Sequence, residues 1–222
     1  LKGIAIVMKK RNLPILGLIS SALLFWMATA FYPGGTSASP DFAGYSWSEH
    51  FISTLFRDSA LNGAANTAKP YAVAAMLVFC ASVAAIFWSL SRCVSGWLRK
   101  IIAIGGVGSM VYAGLAVVTP MHDLLVTVAL AFFVPGFLAT LRLVQNARWR
   151  SAKLAGLAYL VLVVVTSAMY YGNLLPEHLA AAQKAVFVLG SLWLACVYQL
   201  SEALSAVTPN NSSKPTPLRG AA

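Results

Sequence analysis

Six long runs of apolar residues, separated by short polar segments, set the pattern of this chain. They extend from Leu13 to Tyr32, Pro70 to Leu90, Ile101 to Val118, Leu124 to Leu143, Leu154 to Tyr171 and Leu179 to Leu200. Each holds about 18 to 22 residues, and a helix rising 1.5 Å per residue then crosses a hydrocarbon layer of roughly 30 Å. The pattern predicts an all-α, polytopic six-transmembrane-helix bundle forming a single domain over 1–207, with helices at about 13–32, 70–90, 101–118, 120–143, 154–171 and 178–202. Only Pro120 to Asp123 separates the third run from the fourth, so these two helices must form an antiparallel hairpin, and Pro120 keeps them from merging. The first run exceeds the apolar core of a signal peptide and is expected to be a retained helix. Residues 208–222 are polar and proline-rich, which predicts a disordered tail.

The segment from Pro33 to Lys69 is the one connection long enough to hold structure of its own. Pro33-Gly34-Gly35 breaks the first helix, and Tyr32, Phe42, Tyr45 and Trp47 suit a membrane interface. From Ser48 to Asp58 the apolar positions Phe51, Ile52, Leu55 and Phe56 recur at helical spacing, predicting a short amphipathic helix lying on the outer surface. Ser46 and Glu49 have the spacing of a capping box at its start.

Composition strengthens the membrane reading. The chain has 222 residues, 59% hydrophobic and 10% charged, with a mean hydropathy of +0.75. That is more apolar surface than a soluble core of this size hides. The formal charge of +10 would suggest nucleic acid in a soluble protein. Here the cations fall in alternate connections: Lys2, Lys9, Lys10 and Arg11; Arg92, Arg99 and Lys100; Arg142, Arg148, Arg150 and Lys153; Lys214 and Arg219. These are topology signals, so nucleic acid is not an expected partner and the lipid bilayer is. They predict a plasma (inner) membrane protein with both termini cytoplasmic. The opposite face collects Asp41, Glu49, Asp58, Asp123 and Glu177, five of the six acidic residues. Cys80, Cys93 and Cys196 imply no disulfide framework.

All three histidines fall on that acidic, outer face, each beside a carboxylate: Glu49-His50, His122-Asp123 and Glu177-His178. Three imidazoles from three elements at one depth are what a catalytic zinc site needs, with a fourth position open for water. On this reading His50, His122 and His178 are candidate metal ligands, Asp123 or Glu177 orients water, and the reaction class is metal-assisted hydrolysis at the lipid–water boundary. Zinc is the cofactor this reading implies. A structural account competes with it, because Asp123 and Glu177 both occupy first turns of predicted helices, where the helix dipole favours negative charge. The alternative function is a non-enzymatic structural, assembly or lipid-handling subunit whose outer loop docks another membrane protein. Haem held by two histidines is disfavoured, because no span carries a mid-membrane histidine. Gly105, Ser109 and Ala113 form a small-residue stripe for close helix contact. Pro135-Gly136 should kink the fourth helix. Lys184 should either snorkel to the interface or pair with Glu177.

Tyr32-Pro33-Gly34-Gly35, then Phe51-Ile52-Ser53-Thr54-Leu55, Asn66, and Thr119-Pro120 followed by His122-Asp123-Leu124, taken in this order, resemble the bacterial membrane family catalogued as domain of unknown function 998. The similarity covers most of the chain from Leu13 to Leu200. Thr54 stands where that family usually has an acidic residue, and Phe56 where it has glycine. The resemblance implies the six-helix architecture and no established reaction.

Overall fold

The computed structural model describes residues 12–36 and 38–207, and the tail expected over 208–222 lies outside them. The described residues form six α-helices: α1 (Leu13–Ala30), α2 (Lys69–Ser91), α3 (Gly96–Ala116), α4 (His122–Asn146), α5 (Arg150–Gly172) and α6 (Pro176–Val207). All six are long and apolar enough to cross a membrane. Large apolar side chains face outward along them, among them Leu16, Leu23, Ile104, Leu154, Val161 and Leu192. Such surfaces imply a lipid bilayer around the bundle.

Prolines start three of the helices. Pro14, Pro70 and Pro176 sit in first turns, where the missing N–H has no intrahelical partner to lose. Asn173, in the left-handed conformation, ends α5 and turns the chain into α6. α3 and α5 begin at Gly96 and Arg150, ahead of the predicted 101 and 154. Arg99, Lys100 and Lys153 therefore ride on helix rather than in loops. The helical hydrogen bonds continue past the apolar run, and long cationic side chains can still reach water from a first turn.

The bundle has two unlike ends. At the end carrying Arg92, Arg99, Lys100, Arg142, Arg148 and Arg150, here the basic end, the helices close on a continuous core. Phe87 and Leu90 of α2, Ile102 of α3, Phe137 and Val144 of α4, Tyr159 of α5 and Trp193 and Val197 of α6 meet there. Phe137 is the hub, with ring centroids 4.6 Å from Trp193 and 5.3 Å from Tyr159. The Trp193 indole N–H donates to the Ala152 carbonyl at 2.7 Å, which fixes α6 against α5.

Small residues let the first four helices approach closely. Ser21 donates to the Ala75 carbonyl across α1 and α2 (2.8 Å), and Gly17 faces Ser82 at the same crossing. α3 and α4 touch backbone to backbone where Gly105 and Gly106 meet Gly136. The predicted small-residue stripe is used there, Gly105 at the crossing and Ser109 buried one turn further on. Pro135 stands inside α4, whose helix runs on through it.

At the opposite end, here the histidine end, the helices no longer fill the space between them. On the α1–α2 side the long loop fills it, burying Tyr32, Leu55, Ala60 and Ala68 against Ala28 and Ala72. Gly34 and Gly35 both have positive φ, and a Cβ on Gly35 would lie 2.3 Å from the Asn62 nitrogen. Only glycine fits this double turn. Where the sequence predicts an amphipathic helix over Ser48–Asp58, the structure has a single 3-10 turn, Ile52–Phe56. Phe51 is extended, because the chain must leave the Ser46–His50 turn before it can coil again.

Asn66 organises the second half of the loop. Its side-chain amide donates to the carbonyls of Leu55 (3.1 Å) and Arg57 (2.9 Å), and its carbonyl accepts from the Ala68 N–H (3.1 Å). Asn66→Ala removes these bonds and strands buried backbone groups, each costing about 1–3 kcal/mol. The variant should unfold at lower temperature and be cut by trypsin at the exposed Arg57 faster than the parent protein. An unchanged cleavage rate would contradict this role.

Candidate functional site

A cavity of ≈ 330 Å³ opens on the α3–α6 side of the histidine end. Phe51, Ile52, Ser53 and Phe56 of the loop roof it, and α3 to α6 wall it. A second cavity of ≈ 190 Å³ lies deeper, reaching Val83, Ser109, Phe133, Tyr159 and Leu194. Val126, Ala129, Leu130, Val163, Val186 and Phe187 belong to both walls. The two cavities share these six residues and lie in line from the roof toward the core. From His122 to Phe133 the path follows α4 for about 16 Å, roughly half of a ~30 Å hydrocarbon layer.

Chemistry along this path is graded. The deep part is lined by aliphatic and aromatic side chains, with Ser109 and Ser191 bonded back to their own helices. The polar groups gather under the roof: Ser53, His122, Asp123, Thr166, Ser167, Tyr170, Tyr171 and Gln183. Val126, Tyr170 and Tyr171 line the cavity and are also 41, 48 and 58% exposed, so its α4–α5 wall reaches the protein surface. Two hydrogen bonds tie that wall together. The Tyr170 hydroxyl donates to Asp123 Oδ1 at 3.2 Å, and Thr127 and Tyr171 share one at 2.8 Å.

His122 opens α4, and its Nδ1–H donates to the Ala116 carbonyl at 3.1 Å. A carbonyl oxygen can only accept, so in the uncharged ring Nε2 is left as an acceptor. Thr166 is the one residue among those described whose buried side-chain oxygen has no hydrogen-bond partner. Several serines and threonines in the bundle bond to their own helix, as Thr140 does to the Gly136 carbonyl (2.9 Å). Thr166 does not, which is uncommon for a buried polar atom.

The structure separates the three histidines. His50 is buried inside the loop at 1% exposure. Its Nδ1 accepts from the Ser46 N–H (2.8 Å), its Nε2–H donates to the Gly35 carbonyl (2.5 Å), and its ring stacks on Tyr45 at 5.0 Å. With both nitrogens occupied it has no lone pair to offer a metal. His178 stands on the exposed first turn of α6, its Nε2 3.9 Å from Glu177 Oε1, and neither residue lines the cavity. Of the predicted site residues only His122 and Asp123 come together in the cavity. Among the described residues no three His, Cys, Asp or Glu side chains are placed to hold a metal ion. Sequence depth alone put the histidines at one level, and the direction each side chain takes was set by its local turn.

Two further expectations are altered. Ser46 Oγ accepts from the Glu49 N–H at 3.3 Å, as in a capping box. The reciprocal bond, however, is made by His50 rather than Glu49. Lys184 pairs with no carboxylate. Its ammonium donates to the His50 and Ala180 carbonyls and lies 5.5 Å from the centre of the Tyr45 ring. Burial, with a smaller contribution from Tyr32, pushes the Tyr45 phenol well above the ordinary tyrosine range. It therefore remains a donor, here to the His50 carbonyl at 3.0 Å. Gln183, on the preceding position of α6, accepts from the Ile52 N–H at 2.8 Å. Lys184 and Gln183 thus hold the roof segment onto α6, a role that spacing in the sequence does not reveal because its partners are backbone groups more than 130 positions away.

No family model, curated protein or solved structure matches the chain.

Proposed function

We propose that this protein is a non-enzymatic, lipid-handling membrane protein that holds an amphiphile in the cavity at its histidine end. The observation that carries the reading is the graded path. Polar groups cluster under the roof, an apolar tube continues below them for about half the hydrocarbon thickness, and the α4–α5 wall reaches the surface where lipid would lie. A single-chain amphiphile has the same polarity profile and fits a site of this size. The alternating cations support an orientation in the plasma (inner) membrane with the basic end cytoplasmic and the histidine end outside. In that orientation the ligand's head sits at the outer headgroup level and its tail in the outer leaflet.

Photolabelling in nanodiscs tests this. Dodecyl probes carrying a diazirine at the tail end, with hydroxyl, ammonium, carboxylate or phosphate heads, are irradiated in turn, and the labelled residues are found by mass spectrometry. At least one probe should label the deep wall around Phe133, Tyr159 or Leu194. Ala129→Trp, which fills the shared wall, should reduce that labelling by about tenfold or more. Labelling by every probe confined to lipid-facing positions such as Leu23 and Leu192 would remove the proposal.

A further inference from the structure

The charge and hydrogen-bonding sense of the polar rim point to the class of head group it takes. We infer that the cavity selects a head that donates hydrogen bonds and carries no negative charge, an alcohol or an amine, over phosphate or carboxylate. This rests on the amphiphile reading above and adds the head to it. Among the described residues no lysine or arginine lines the cavity, and its formal charge comes from Asp123. Two cations at this end are spent elsewhere: the Lys184 ammonium is held by the His50 and Ala180 carbonyls, and Lys69 is paired with Asp58 at 2.5 Å. An anionic head would meet like charge with no counter-ion and no cationic fork to bind it.

Two groups at this rim can act only as acceptors. Asp123 takes one bond from Tyr170 at Oδ1 and has lone pairs to spare. His122 spends its Nδ1–H on the Ala116 carbonyl, which leaves Nε2. Gln183 has committed its carbonyl oxygen to the Ile52 N–H, which leaves its amide hydrogens as donors, and Ser53, Ser167 and Tyr171 can serve in either sense. A hydroxyl or ammonium hydrogen satisfies the Asp123 and His122 acceptors, whereas an ionised phosphate, itself rich in acceptors, leaves those two unsatisfied.

The four dodecyl probes decide the matter, since they share one tail. The hydroxyl and ammonium probes should label the deep wall at concentrations about tenfold lower than the carboxylate and phosphate probes, the size expected of a charge-assisted hydrogen bond set against a like-charge contact. Asp123→Asn keeps an acceptor for Tyr170 and removes the charge, and it should shrink the preference of ammonium over phosphate several-fold. Equal labelling by all four heads, or a preference that survives Asp123→Asn unchanged, overturns the head-group inference and leaves the amphiphile reading standing. Failure of every probe to enter the cavity removes that reading itself.

Discussion

Gly136→Leu should yield a protein that cannot bring α4 against α3. A Cβ at this position would lie 2.8 Å from the Gly106 nitrogen and 2.9 Å from the Gly105 carbonyl carbon. Both are backbone atoms of a packed helix, with no side-chain rotation available to make room. The helices must separate instead, and every contact along the crossing loosens with them. Overpacking a core costs typically 1–3 kcal/mol, and a leucine wedged between two backbones belongs at about 3 kcal/mol or beyond. Because the same crossing forms the floor beside Phe133 and Phe137, the deep cavity should be lost as well. Gly114→Ala is the matched control on α3. Its Cβ would meet nothing nearer than a Leu77 methyl at 3.7 Å, and alanine favours helix over glycine by about 1 kcal/mol. Unfolding followed by tryptophan fluorescence in detergent should therefore drop sharply for the first variant and hold or rise for the second. Equal behaviour of the two would mean that the glycine crossing does not organise the bundle.

The number of helices was legible because a bilayer imposes a length and a polarity that leave few alternatives. The glycine crossing was half legible: Gly105 and Ser109 announce a close contact, but nothing local names Gly136 as its partner. The loop was much less legible. Its apolar positions have helical spacing, yet they are divided among three tasks. Leu55 packs into the loop's own core, Phe51 and Ile52 roof the cavity, and Phe56 also meets Phe25 of α1 edge to ring at 6.4 Å. Periodicity reports that residues are buried somewhere, without saying against what. The site followed the same rule. The residue types beside His122 were visible, whereas Thr166, Tyr170 and Gln183 look like ordinary helix residues until α4, α5 and α6 are placed around one space.

Residue depth also suggested that the three histidines were equivalent, and their variants should show that they are not. His50→Ala deletes a fully buried ring that receives one backbone hydrogen bond, gives another, stacks on Tyr45 and meets Tyr32 edge-on. Truncating an enclosed aromatic costs about 3–5 kcal/mol, and here it also strands the Gly35 carbonyl and the Ser46 N–H. The His50 carbonyl, which anchors Lys184 and Tyr45, would lose its fixed position. The roof should then lift from α6, which speeds trypsin cleavage at Arg57 and lowers the unfolding temperature. His122→Ala gives up one bond to the Ala116 carbonyl and otherwise enlarges a space that already exists, so its stability should stay within about 1 kcal/mol of the parent protein. His178→Ala, at a site 70% exposed, should change neither stability nor labelling of the cavity. A shared metal centre makes the opposite forecast, with all three variants losing the metal together and none needed for the loop to fold. Measured side by side, unfolding temperature, trypsin cleavage and probe labelling separate a histidine that builds the roof from one that meets the ligand beneath it.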